Sequence, residues 1–399
     1  MLYFYYPKNL VIDGKTIFSN IRFIENKILF VGAVYLSNPI DYSQVKFKVN
    51  EKSYFPKIIE RRQYEPSIVC ILEDSTWQCL ESLSLEIEFE CNHYSFILQK
   101  EKYSNYNLSA STLFKDDYEL LDFYIDYYIK HGVECFFLYY NGSIKEEIFE
   151  FFKSKNVPIY ITEWNYPYWL PNPRQLYPDH HAQVMSICDG LNLCKFTSKY
   201  CLFNDLDEYI FLDKKLSELV TENPNVTNFY FECYWTSVGK DIIKFKELKN
   251  KFAHDNLLIN SKSCGNSHMK SFIKCNSIDI MRIHFPVSGN IISHFGSGFF
   301  HICNLENSDR RLFMESNLIQ SESNRLSPSD ILESYFLKNL TPNNKFKRYI
   351  CTGNNNIHFI KNFIQEEILS RDNTKIDGFI YNGIHCTFKE YHSFIKCNQ

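Results

Sequence analysis

The sequence predicts an α/β protein: a mostly parallel, doubly wound sheet, preceded by a small β-sandwich-like domain and followed by a partly helical extension. Three observations carry this. Up to about residue 105, apolar positions recur with period two in short β-branched or aromatic runs. From about residue 106, apolar runs alternate with segments of helical period, the order that builds a parallel sheet through right-handed crossovers. The chain has 399 residues, beyond the size at which one hydrophobic core is the rule. The expected domains are residues 1–105, 106–305 and 306–399.

In the first domain "KTIFSNIRFI", "KILFVGAVYL", "VKFKVN", "SIVCILED", "LSLEIEFEC" and "HYSFILQK" read as strands separated by turn-prone stretches such as "LSNPIDYSQ". Several short strands at close spacing suggest a sandwich. The second domain opens with a strand, "YNLSASTLF". Leu120, Leu121, Tyr124, Ile125, Tyr128 and Ile129 then mark a helix, with Gly132 as its C-terminal cap. "VECFFLYY" is apolar throughout, as a strand covered on both faces must be. A helix in "IKEEIFEFFKSKN" and a strand in "VPIYITEW" follow. "NYPYWLPNPRQLYPDHH" is too rich in proline and aromatics for a core element. It reads as a functional loop, or as a plain surface excursion whose Tyr166, Tyr168 and Trp169 cover the sheet edge. A helix from Ala182 to Phe196 leads into the strand that ends at Asp205. "KLSELVTEN" is expected helical and "VTNFYFECYW" extended, with "SFIKCNSIDIMRIHFP" and "IISHFGSGFFHICNL" completing the sheet. In the tail an amphipathic helix is expected through Ile360, Phe363, Ile364 and Ile368.

Composition narrows the function classes. Hydrophobic residues at 45% and aromatics at 17% suffice for a packed core and exclude a disordered chain. A net charge of −4 argues against nucleic acid as a partner. The 14 cysteines form no CxxC pair, so zinc-site spacing is missing and free thiols in a reducing compartment are expected. The start, "MLYFYYPKNLVIDGK", has no long apolar core of a signal peptide, and no run is long enough to span a bilayer. A cytoplasmic location is the expectation.

The chemistry concentrates in "YCLFNDLDEYIFL", where Asp205, Asp207 and Glu208 stand between two apolar runs. In an open parallel sheet ligands bind beyond the carboxyl ends of the strands, where this reading puts them. On an extended segment Asp205 and Asp207 share a side, and converging carboxylates repel unless a proton or cation lies between them. Hard oxygen ligands suit Mg²⁺ or Mn²⁺, ions that also hold phosphate oxygens. Acidic residues that merely end a strand give the same spacing. An aspartyl phosphatase pattern fits worse, because Tyr209 stands where Thr or Val belongs.

"STLFKDDYELLDFYIDYYIKHGVECFFLYYNGS", "FNDLDEYIFL" and "KSFIKCNSIDIMRIHFP" resemble, in that order, the blocks of glycosyltransferase family 92 and related family 2-like glycosyltransferases, over roughly residues 106–305. The resemblance implies a GT-A fold, a nucleotide-sugar donor with a UDP-sugar first in line, a glycan or other hydroxyl acceptor, and an inverting transfer. It assigns Asp205 and Asp207 to a bound Mn²⁺ or Mg²⁺, with Asp205 also near the donor, Glu208 to the acidic position that follows, and His284 or His301 to a further metal ligand. Thr112, Lys115, Asp117, Asn141 and Lys270 become candidates for the donor. At Asp117 the chain departs from the family, which has a glutamate after asparagine where this sequence has Asp116-Asp117. Inversion requires a base, for which Glu232 and Asp241 are the candidates. The alternatives are a catalytically silent GT-A-like scaffold that binds glycans or proteins, and a metal-dependent phosphoesterase.

Overall fold

Two-residue turns set the register of the first hundred residues. Strands β2 (Leu10–Ile12) and β3 (Lys15–Ile24) are joined by Asp13-Gly14, both at positive φ, the geometry of a tight hairpin. After β4 (Lys27–Ala33), the pair Asn50-Glu51 turns β5 (Lys46–Val49) into β6 (Lys52–Tyr54). Beyond β7 (Lys57–Arg61) and β8 (Ser67–Glu73), Glu90-Cys91 turns β9 (Ser82–Phe89) into β10 (Asn92–Glu101), again at positive φ. The strands run β6-β5-β9-β10-β3-β4-β8-β7, antiparallel except where β10 meets β3 at Lys100–Phe23 and Glu101–Ile24. The two halves close on a shared core: Phe30 of β4 lies 4.8 Å, ring to ring, from Phe47 of β5. The expected strands are present, as one continuous nine-stranded sheet folded around that core.

The structure, a computed structural model, describes residues 1–33, 40–61, 67–145, 148, 152, 155–170, 179–212, 214–238, 244, 247, 257–259, 270–284, 286 and 291–302, with strand segments at 325–326, 350–351, 379–381 and 384–386. The helices expected in residues 144–156 and around residue 364 lie largely or wholly outside them. The chain divides into two compact units. One comprises residues 1–116, 134–203 and 273–289, the other residues 117–133, 204–272 and 290–399.

The first unit also holds a parallel sheet. Its strands are β11 (Tyr106–Phe114), β12 (Cys135–Tyr140), β13 (Ile159–Glu163) and, beyond a short hairpin of β14 (Trp169–Leu170) with β15 (Asp179–His180), β16 (Ser198–Phe203). With β1 (Leu2–Tyr5) included, the order is β1-β13-β12-β11-β16, every pair parallel. β12 is buried at each position, as its unbroken apolar run requires. The edge strand β1 comes from the start of the chain and pairs with β13, not with the sandwich strands that follow it in sequence.

The helices are α1 (Tyr118–Lys130), α2 (His181–Thr197) and α3 (Leu216–Glu222). α2 is buried nearly all round, against β11 and β16 on one side and β3, β4 and β8 on another. A Cβ on its Gly190 would come within 2.6 Å of Ser111 Oγ, so glycine sets how closely helix and strand approach. In the second unit α1 ends at Gly132, φ +91°. Gly132 N donates to Ile129 O and Val133 N to Tyr128 O, both at 3.0 Å, the paired bonds of a Schellman cap. The strands of this unit are β17 (Glu208–Phe211), β18 (Asn228–Val238), β19 (Leu257–Ile259), β20 (Lys270–Lys274) and β21 (Ile291–Ile302). β21 pairs antiparallel with β17 and parallel with β18. Where one strand was expected through residue 286, β20 stops at Lys274 and a 3₁₀ turn follows.

No helix among the described residues is long and apolar enough to cross a membrane. The described cysteines are free thiols.

Candidate active site

β16 ends at Phe203, and the acidic residues lie in a turn beyond it. Glu208 N donates to Asp205 O at 3.1 Å, closing Asp205-Leu206-Asp207-Glu208 as a four-residue turn. The extended backbone assumed from the sequence is therefore corrected. In a turn, residues two apart need not share a side, and here the two aspartates have different partners. Asp205 Oδ2 accepts from Lys270 Nζ at 2.8 Å, whereas Asp207 Oδ2 lies 3.5 Å from His301 Nε2.

Glu208 joins the two halves. It stands directly opposite His301 across the β17–β21 pair, and its Oε1 is 3.5 Å from His301 Nδ1. Its Oε2 accepts from Asp205 N at 2.7 Å and lies 3.3 Å from Lys270 Nζ. The Glu208 and Lys270 side chains are 1% and 2% exposed. Burial, with the Asp205 and Asp207 carboxylates, pushes the Glu208 carboxyl up to about 8 against the pull of Lys270. Burial also works against the Lys270 ammonium, but Asp205 and Glu208 more than offset it and hold the group above the ordinary lysine range.

His301 is held on its other side as well. Trp235, opposite it on β18, stacks on the imidazole at 4.5 Å, and Cys233 Sγ is 3.8 Å from Nδ1. One ligand atom each from Asp207, Glu208 and His301 fall within 4.8 Å of one another. Two carboxylates and an imidazole are a donor set that Mn²⁺ accepts, and Mg²⁺ less readily because it prefers oxygen alone. Once Glu208 is ionised, three carboxylates face one ammonium and the turn is short of positive charge.

The other sequence candidates fall as follows. Thr112 is buried in β11, its hydroxyl 3.4 Å from Leu113 O, and Lys115 is exposed just beyond that strand. Asp116 accepts from the Tyr140 hydroxyl at 2.7 Å. Asp117 occupies the N-cap of α1 without a side-chain cap bond. Asn141 Nδ2 donates to Trp164 O at 2.8 Å and Tyr166 O at 2.9 Å, which ties the end of β12 to the aromatic loop. In that loop Tyr166 is buried and donates to Ser19 O, while Trp169 stacks on His180 at 4.1 Å. His284 lies in the first unit and His301 in the second, with the acidic turn. Glu232 faces Gly298 across β18 and β21, next to a bulge. Asp241 lies outside the described residues.

Sequence reasoning treated Tyr124 and Tyr128 only as core positions and passed over Asn204. The structure links all three: Tyr124 donates to Asn204 Oδ1 at 2.7 Å, and Asn204 Nδ2 to the Tyr128 hydroxyl at 2.8 Å. The available signal was tyrosine on a buried helical face, since each such ring brings a hydroxyl that must find a partner.

Residues 106–290 match the family model described as glycosyltransferase family 92, so this stretch carries a glycosyltransferase domain and the resemblance read from the sequence holds. No curated protein matches the chain.

Proposed function

We propose that this glycosyltransferase moves a sugar from a nucleotide-sugar donor, with UDP as the first nucleotide to try, to a hydroxyl of a glycan or other acceptor, on a GT-A-type scaffold and with inversion. The observation that carries the proposal is the convergence of Asp207, Glu208 and His301 on one point, with the two acidic residues inside the stretch that matches the family and His301 just beyond its end. Those three residues would hold Mn²⁺ or Mg²⁺, which when bound supplies positive charge beside the departing diphosphate. Lys270 neutralises Asp205 and, together with the Asp205 N–H, keeps the buried Glu208 carboxylate in place. Trp235 fixes the plane of the His301 ring. Thr112, Lys115, Asp117 and Asn141 remain the donor candidates, and Glu232 or Asp241 the base that takes the acceptor proton.

Calorimetric titration of UDP with and without Mn²⁺, followed by a donor-hydrolysis screen over nucleotide sugars, tests the proposal. Expected is Mn²⁺-dependent UDP binding that Asp207→Asn abolishes without lowering the melting temperature by more than a few degrees. Melting of Asp207→Asn would make that carboxylate structural. Hydrolysis of simple phosphoesters, lost in the same variant, would point to a phosphoesterase. The silent scaffold is favoured by one observation, the ammonium of Lys270 already paired with Asp205. Absence of metal-dependent binding to any nucleoside diphosphate would decide for it.

A further inference from the structure

Among the described residues β17 pairs with one strand, β21, and its other edge is completed by side chains of α1. The Tyr128 hydroxyl donates to Glu208 O at 2.8 Å and accepts from Ile210 N at 3.1 Å and from Asn204 Nδ2 at 2.8 Å. Its one proton and both lone pairs are thereby engaged. Asn204 Nδ2 donates to Glu208 O as well, at 2.9 Å, while its Oδ1 accepts from Tyr124. One turn away, the Tyr127 hydroxyl donates to Ile210 O, further along the same edge. Tyrosines thus stand in for the missing neighbouring strand. A strand would hold this edge through a ladder of backbone bonds. Here the Glu208 carbonyl on this edge takes two hydrogen bonds, both from side chains that themselves bond to each other, while its N–H closes the turn to Asp205 O.

We propose that Tyr128 and Asn204 are positioning residues for cation binding: they fix the backbone of Glu208 so that its carboxylate and that of Asp207 meet His301. The inference rests on the metal site assigned above. Tyr128 touches neither cation nor donor and acts through Glu208.

The comparison of Tyr128→Phe with Tyr127→Phe tests it in the full chain. Each removes one buried hydroxyl from α1 that bonds to β17, so the two share a structural cost, but only Tyr128 reaches Glu208. Mn²⁺ affinity is read by calorimetry and by the electron paramagnetic resonance of free Mn²⁺, and stability by thermal melting. Tyr128→Phe is expected to weaken Mn²⁺ binding about 10- to 100-fold, as loss of a group that orients a ligand does. Tyr127→Phe should leave affinity within about threefold at a similar melting temperature. Tyr124→Phe, which frees one side of Asn204, should fall between them, and it carries the test if Tyr128→Phe does not fold. Equal Mn²⁺ affinity in the phenylalanine variants overturns the inference alone. Absence of Mn²⁺ binding in the unmodified chain overturns the metal assignment and this inference with it.

Discussion

In the proposed site Glu208 has to be two things at once, a buried side chain and a ligand. Burial with two neighbouring carboxylates raises its proton affinity, so below about pH 8 the metal-free side chain keeps its proton. A cation requires the ionised form, and its binding releases that proton. The sign follows: Mn²⁺ affinity should climb as pH rises from 6, by up to about tenfold per pH unit for a one-proton exchange, and level off above about 8. Titrations at four pH values would show it. In Glu208→Gln, which has no proton to release, the slope should disappear, and a slope that persists would assign the proton to another group. Asp205, Asp207 and Glu208 were legible as a site because acidic residues between apolar runs are unusual. Lys270 and His301 stood beside them only as candidates that the resemblance implied, and which acidic residue each meets was not legible, since they stand 65 and 94 positions from Asp205 and Asp207 and only strand pairing brings them in.

Among the elements, α1 was the most legible: the periodicity gave its extent and Gly132 its end. Left-handed backbone at Gly132 costs a side chain about 1–2 kcal/mol, and a Cβ there would also meet Ser217 Oγ at 2.6 Å. Gly132→Ala should therefore lower stability by at least about 1–2 kcal/mol in urea denaturation, and a neutral result would mean the cap is dispensable. The turns were less legible. Asp13-Gly14 announces its hairpin, but Asn50-Glu51 and Glu90-Cys91 put Glu51, Glu90 and Cys91 at positive φ, which these side chains do not favour, because the pairing of β5 with β6 and of β9 with β10 leaves two residues to reverse the chain. The four-residue turn at Asp205 was misread as strand for a related reason. Its flanks are apolar, and local pattern continues through it.

Within the first unit, α2 binds the sandwich to the parallel sheet through one buried charge network. Asp189 of α2 accepts from Arg22 at 2.8 Å, from Asn20 at 2.9 Å and from the Tyr139 hydroxyl at 2.8 Å, and so draws in β3 and β12. Arg22 completes its charge balance with Glu101 at 2.6 Å. Asp189→Ala should cost about 3–5 kcal/mol, because it breaks a fully buried ion pair with Arg22 and takes the acceptor from Asn20 and Tyr139, leaving Glu101 as the remaining counter-charge. A loss under about 1 kcal/mol by the same denaturation would mean that water or Glu101 compensates. Nothing in "ICDGL" or "NIRFI" marks these residues as partners. A lone charge in an apolar segment says that a partner exists, not where.

The sequence by itself determined the α/β class, the cluster of acidic residues and the likeness of residues 106–290 to glycosyltransferase family 92, because these are written in local pattern or in ordered motifs. Only the tertiary structure decided that β1 leaves its neighbours for the parallel sheet, that Asp205 answers to Lys270 and Asp207 to His301, and that the edge of β17 is held by tyrosines. Each of these is a choice between distant partners of similar local chemistry. Burial makes that choice: a polar group taken out of water must find its complement wherever packing has put one.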